Sequence, residues 1–121
     1  MRTKFSETES YILVDLSGQM NYESIDSLKS VCKQNISGKR VIFNLEQLKF
    51  VGSCGIVDFI DLLKTFEATK LHLCSVTTEF QRLFIASELQ IASYHETPLQ
   101  AKNHVESLRH VYADYLSLIH I

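Results

Sequence analysis

The chain has no tryptophan, one proline, four glycines and three cysteines in 121 residues. So little proline and glycine leaves no stretch that reads as a flexible linker, and no low-complexity run or internal repeat is present. The cysteines Cys32, Cys54 and Cys74 are odd in number, widely spaced and set among apolar neighbours. That pattern excludes a disulfide framework and fits a reducing compartment, and the lack of a CxxC pair removes the usual cysteine zinc signature. Charge is balanced: the formal net value is −2, with both signs mixed along the chain. No basic stripe advertises nucleic acid, and no acidic tail suggests a solvating segment. No apolar run approaches the roughly 20 residues of a membrane span, and the opening MRTKFSETES lacks the apolar core of a signal peptide. A soluble cytoplasmic protein with no nucleic-acid or membrane partner is expected. With 45% hydrophobic residues, residues 1–121 are expected to form one domain with a real core.

The most informative stretch is Arg40 to Phe66. Val41-Ile42-Phe43 is an unbroken apolar run, which suits a strand buried on both faces of a sheet. Ile56, Val57, Phe59, Ile60, Leu62, Leu63 and Phe66 recur at helical spacing, leaving Asp58, Asp61 and Lys64 for the wetter side. Between strand and helix sit Gly52-Ser53-Cys54-Gly55, four small residues where glycine permits a sharp turn and a hydroxyl can cap free N–H groups. A small hydroxyl is thereby offered on the rim of the sheet.

The flanking chain supplies the rest of an α/β domain. Lys4 to Glu7 is a candidate edge strand, and Tyr11 to Leu16 alternates with period two until Ser17-Gly18. Asn21 is a good N-cap for a helix carrying Ile25, Leu28, Val31 and Cys32 on one face and stopping at Ser37-Gly38. The central helix is expected to end near Thr69, before a strand over Leu71 to Val76 with Leu71 and Leu73 on one side. A strand-helix-strand crossover makes that strand parallel to the central one. Thr78 to Gln81 has capping-box spacing and begins a short helix with Phe80, Leu83 and Phe84 inward. Ile91 to Tyr94 reads as the last strand. Thr97-Pro98-Leu99-Gln100 then opens a terminal helix with Leu99, Val105, Leu108, Val111, Tyr112, Tyr115 and Leu116 on its apolar stripe. The helix and tail over 98–121 end on the apolar Leu118, Ile119 and Ile121, a candidate homodimer contact.

Three segments, ESYILVDLSG (Glu9 to Gly18), VIFNLEQLKFVGSCG (Val41 to Gly55) and LCSVTTEFQRLFIASEL (Leu73 to Leu89), resemble the STAS domain of bacterial anti-sigma factor antagonists. The resemblance covers a core of about residues 9–105 and is most specific from Asn44-Leu45-Glu46 to the glycine loop. It implies a mixed sheet of four to five strands with about four helices packed on it. It also implies a switch: a serine at the start of the second long helix is phosphorylated by a serine-kinase anti-sigma factor, which the unphosphorylated domain binds and sequesters. The motif D-S-[ST]-G of that family falls on Gly52-Ser53-Cys54-Gly55, so Ser53 is the counterpart of the phosphoacceptor. Gly52 replaces the aspartate and Cys54 a serine or threonine. The resemblance further places the Asn21 loop near the serine, giving a partner-binding set of Asn21, Gly52, Ser53, Cys54, Gly55, Ile56 and Asp58.

Each of these residues also has a plainer role. Ser53 can serve only as an N-cap, in which case the domain is a constitutive interaction or scaffold subunit of another signalling or transport complex, with Gly52 marking a retired switch. Cys54 fills space or, in the first turn of a helix, acts as an activated thiolate if His72 or His95 approaches as a base. Asp58 and Asp61 form a solvated face or meet a basic partner. His72, His95, His104, His110 and His120 show no i,i+4 ligand pair, so they read as surface or core-edge residues, with no metal and no cofactor expected. A binding protein is therefore expected, not an enzyme.

Overall fold

A computed structural model describes the backbone of residues 2–35, 38–50 and 52–119, and the side chains of these except 22, 34, 35, 50, 52–54 and 109–119. Ten elements follow one another: β1 (Arg2–Glu7), β2 (Tyr11–Met20), α1 (Tyr22–Asn35), β3 (Arg40–Phe50), α2 (Gly52–Leu63), a 3-10 turn (Ala68–Lys70), β4 (Leu71–Cys74), α3 (Thr78–Ala86), β5 (Ser93–His95) and α4 (Pro98–Ile119). The sheet has the order β1-β2-β3-β4-β5. Strand β1 is antiparallel to β2, and every later pair is parallel.

This sequential order decides where the helices go. A right-handed crossover between neighbouring parallel strands puts its helix on a fixed face, and three crossovers made in the same direction put three helices on the same face. Accordingly α1, α2 and α3 share one apolar core with the sheet: Ile25, Leu28 and Cys32, then Phe59, Ile60, Leu62 and Leu63, then Phe84 meet Val14, Leu16, Val41, Phe43, Leu71 and Leu73. The opposite face is left for α4, whose Ala101 and Val105 cover Tyr11, Leu13, Ile42 and Cys74. Both faces of the central strands are thus dry, as the run Val41-Ile42-Phe43 requires.

Several boundaries differ from the sequence reading, each for a local reason. Strand β2 does not stop at Ser17-Gly18 but runs to Met20, because β3 continues alongside it to pair Ser17 with Gln47 and Met20 with Phe50. The register shifts between Asp15 and Ser17: two steps along β2 face three along β3, so β3 carries an extra residue there. The slip explains why Leu45 and Leu48, three apart, are both buried in the same core. Helix α2 ends at Leu63 rather than near Thr69: the Thr65 hydroxyl donates to the Leu62 carbonyl at 2.6 Å, and the amides of Thr65 and Phe66 turn to carbonyls three residues back. Such tightening is how a helix closes its last carbonyls.

Strand β4 stops at Cys74, since Ser75 adopts φ 59 and cannot continue it. The cap of α3 is Thr77, whose hydroxyl accepts from the Phe80 amide, one residue before the expected Thr78. The last strand is Ser93–His95, shifted from Ile91 to Tyr94. On α4 the expected cap holds, Thr97 Oγ1 accepting from the Gln100 amide at 3.2 Å, but Leu99 is 65% exposed and the inward stripe is Ala101 and Val105. Ser37 lies outside the described residues, as do Ile121 and the side chains beyond residue 108 on which the dimer expectation rested.

Candidate partner-binding surface

The site is built at the C-terminal edge of the sheet, where parallel strands release their helices. Strands β2 and β3 end side by side, Met20 opposite Phe50, so the starts of α1 and α2 are neighbours. Asn21 forms the first: its Oδ1 accepts from the Ser24 amide and from the Ser24 hydroxyl, both at 3.0 Å. Its carbonyl receives the Ile25 amide at 3.1 Å, the first bond of the helix. Asn21 is therefore a cap, exposed on the rim.

The second start is fixed by Gly55. It is buried, and a Cβ there would stand 3.1 Å from the Met20 carbonyl oxygen. The first turn of α2 thus lies directly on the end of β2, which draws Asn21 and the serine loop to one surface. The α2 backbone begins at Gly52, placing Ser53 and Cys54 in its first turn; their side chains, with position 52, lie outside the described residues. Further along, Ile56 is half-buried against the three-helix core, Asp58 is half-buried, and Asp61 and Lys64 are exposed.

One residue of this face departs from the expected apolar stripe: Val57 is 57% exposed. At about 100° per residue, Phe59, Ile60, Leu62, Leu63 and Phe66 span an arc that Val57 overshoots by about 60°. The wheel, rather than the list of apolar residues, carried that signal. An exposed valine beside Asp58 gives the rim of α2 an apolar spot with an acidic border.

The histidines correct another expectation. His72 is fully buried, and a ring nitrogen each of His72, His95 and His104 lie within 4.8 Å of one another. They sit on the α4 face, whereas α2 packs on the opposite one, and His72 pairs with Ile42, eight residues along β3 from Phe50. The start of α2, where Cys54 stands in the chain, and these histidines thus belong to opposite faces of the sheet. Cys32 and Cys74 are fillers: burial pushes their thiols up to about 11 and about 12, far from the thiolate a nucleophile needs. A groove of about 550 Å³ lies at the other end of the three-helix face, lined by Lys29, Lys33, Val41, Leu62 and Phe66 among others.

Comparison with known proteins agrees with this architecture. The STAS domain family model matches residues 3–106. The Bacillus cell fate determinant SpoIIAA in its phosphorylated form superposes with a TM-score of 0.65 at 17% identity, covering 86% of this chain and 99% of that one. The anti-sigma factor antagonist SpoIIAA in its unphosphorylated form gives 0.66 at 17%, covering 88% and 97%. An anti-sigma factor antagonist from Mycobacterium paratuberculosis gives 0.67 at 15%, covering 87% and 93%. At such identities the likeness is one of fold. No curated protein matches the chain.

Proposed function

Because this chain belongs to the STAS domain family, we propose that it is an anti-sigma factor antagonist: a cytoplasmic binding module, not an enzyme, that sequesters a serine-kinase anti-sigma factor and is released when Ser53 is phosphorylated. The observation that supports this most is the contact of Gly55 with the end of β2, since it brings the Asn21 cap, the serine turn and the exposed Val57 to one continuous rim. The docking surface is Asn21, the turn Gly52 to Gly55, Ile56, Val57 and Asp58. One solved relative of this fold is known in phosphorylated and unphosphorylated forms, which supports a modification the fold can carry.

The switch follows from charge and position. A phosphate on Ser53 adds about −1.5 to −2 charges where the surface is small, apolar and bordered by Asp58, so a desolvated partner is repelled. The same phosphate stands at the N-terminus of α2, whose free amides and dipole favour an anion, so the domain accepts it without unfolding. Gly52 leaves the serine without an adjacent carboxylate, which shifts recognition of the turn to the surrounding rim.

The test is capture from lysate of the source organism on wild-type and Ser53→Asp baits, with mass spectrometry of the prey and of the Ser53 peptide. The expected prey is an ATPase-type anti-sigma factor kinase that Ser53→Asp loses at least about tenfold while keeping its melting temperature. Equal capture by both baits, with Ser53 never modified, would make the domain a constitutive module and overturn the switch.

A further inference from the structure

The α4 face holds a cluster that the proposed partner surface does not use. His72 is on β4, His95 on β5 and His104 on α4. The His95 and His104 rings are tilted at 46° to each other with centroids 4.9 Å apart, and His104 meets His72 edge-on at 5.9 Å. His72 is wholly buried, while His95 and His104 are half-buried, so the cluster opens to solvent on one side only.

The protons in this cluster can be placed. The Arg40 guanidinium lies 3.2 Å from His72 Nε2 and has no acceptor, so that nitrogen accepts and Nδ1 carries the proton. Nδ1 then donates to Ser93 Oγ at 2.6 Å, and the Ser93 hydroxyl in turn donates to His95 Nε2 at 2.7 Å. Burial, the Arg40 charge and the two neighbouring rings hold the His72 imidazolium down, to about 4, and burial and His104 lower His95.

We propose that His72, His95 and His104 form a binding site for one late first-row divalent cation of the zinc class. Three imidazoles are the donor set such ions prefer over carboxylate-seeking magnesium or calcium. With metal–nitrogen bonds of about 2.0–2.1 Å, tetrahedral geometry needs ligand atoms about 3.4 Å apart. Rotation of the two half-exposed rings draws in nitrogens now within 4.8 Å. The fourth position faces the open side and takes water. A neutral imidazole has one lone pair, so His72 cannot ligate a cation and accept from Arg40 together, and His95 must likewise release the Ser93 hydroxyl from which it accepts. Binding must detach the guanidinium, which keeps its 2.7 Å bond to the Thr69 carbonyl. The ion would tie α4 to the paired strands β4 and β5, which α4 otherwise meets through the small apolar cluster of Ala101 and Val105.

The experiment is calorimetric titration of tag-free, chelator-treated protein with Zn²⁺ at pH 7.5, and Co²⁺ titration followed by its tetrahedral visible absorption. One ion per chain is expected, with a dissociation constant of about 10 µM or lower. His95→Gln and His104→Gln should each weaken binding at least about tenfold, and both lie at half-exposed positions where the fold tolerates the change. His110→Gln and His120→Gln should leave binding intact. Arg40→Met should tighten it several-fold by removing the competing donor. Absence of saturable binding at about 100 µM Zn²⁺, or unchanged affinity in His104→Gln, overturns the site. An unchanged affinity in Arg40→Met removes His72 from it.

Discussion

The two faces of one sheet are closed in different ways. On the first, three helices bring Leu, Ile and Phe side chains onto the strands, and Phe43 meets the edges of Phe59 at 6.3 Å and Phe66 at 5.5 Å. On the second, the described side chains of α4 offer Ala101 and Val105 to the core, and His72 is buried beside them with Ser93 and Arg40 as partners. The first face holds the domain together and fixes the starts of α1 and α2. Among the described residues the second face buries fewer large apolar side chains and admits a buried histidine with its polar partners.

Adjacent residues of β3 test that contrast most strongly. Phe43 and Ile42 are both fully buried but point to opposite faces. Phe43→Ala should cost about 3–5 kcal/mol and Ile42→Ala about 2 kcal/mol, in urea denaturation at pH 7.5. Equal costs would show that α4 contributes as much packing as the three helices together. Acid should act next, and on the α4 face. With the folded-state pKa of His72 held near 4 and the unfolded value near 6.5, the unfolded chain binds more protons between those limits. The His72 contribution is therefore whole above pH 6.5 and lost as pH falls toward 4. Metal-free protein should lose roughly 3 kcal/mol over that window, and His72→Leu should flatten the profile; an equal slope in the variant would place the acid sensitivity elsewhere. The smallest effect is at the partner rim: Asn21→Ala removes a cap from a helix already held by Ile25, Leu28 and Cys32, and should cost about 1 kcal/mol in the same denaturation assay. A cost several times larger would mean that the rim carries stability as well as function.

What was legible in the residues was mostly the first face. Period-two alternation in Tyr11 to Leu16, the continuous run Val41-Ile42-Phe43 and the helical spacing on α1 and α2 reported burial against a large apolar surface, and their inward residues are buried. The serine turn was legible as small residues at a strand-to-helix junction, though the side chains of Ser53 and Cys54 are outside the described residues. The second face was harder to read. The alternation of Leu71 and Leu73 already placed His72 and Cys74 on the other side, but nothing local says that β5 will bring Ser93 opposite His72. Leu99 looked more apolar than Ala101, yet close approach of α4 to the sheet selects the smaller side chain. The length of β2 was underestimated for a similar reason: Ser17-Gly18 is a stop by composition, and only pairing with β3 carries the strand through it.

The sequential strand order also sets the order of assembly. Each strand's partner is the strand made just before it, so β1 to β5 can add one at a time with short loop closures, and the three-helix face is completed as the crossovers emerge. Helix α4 follows all of them in the chain. During synthesis, Tyr11, Leu13, Ile42 and Cys74 therefore remain wet until residues 98–108 leave the ribosome, and the newborn domain presents an apolar patch that its finished form has covered.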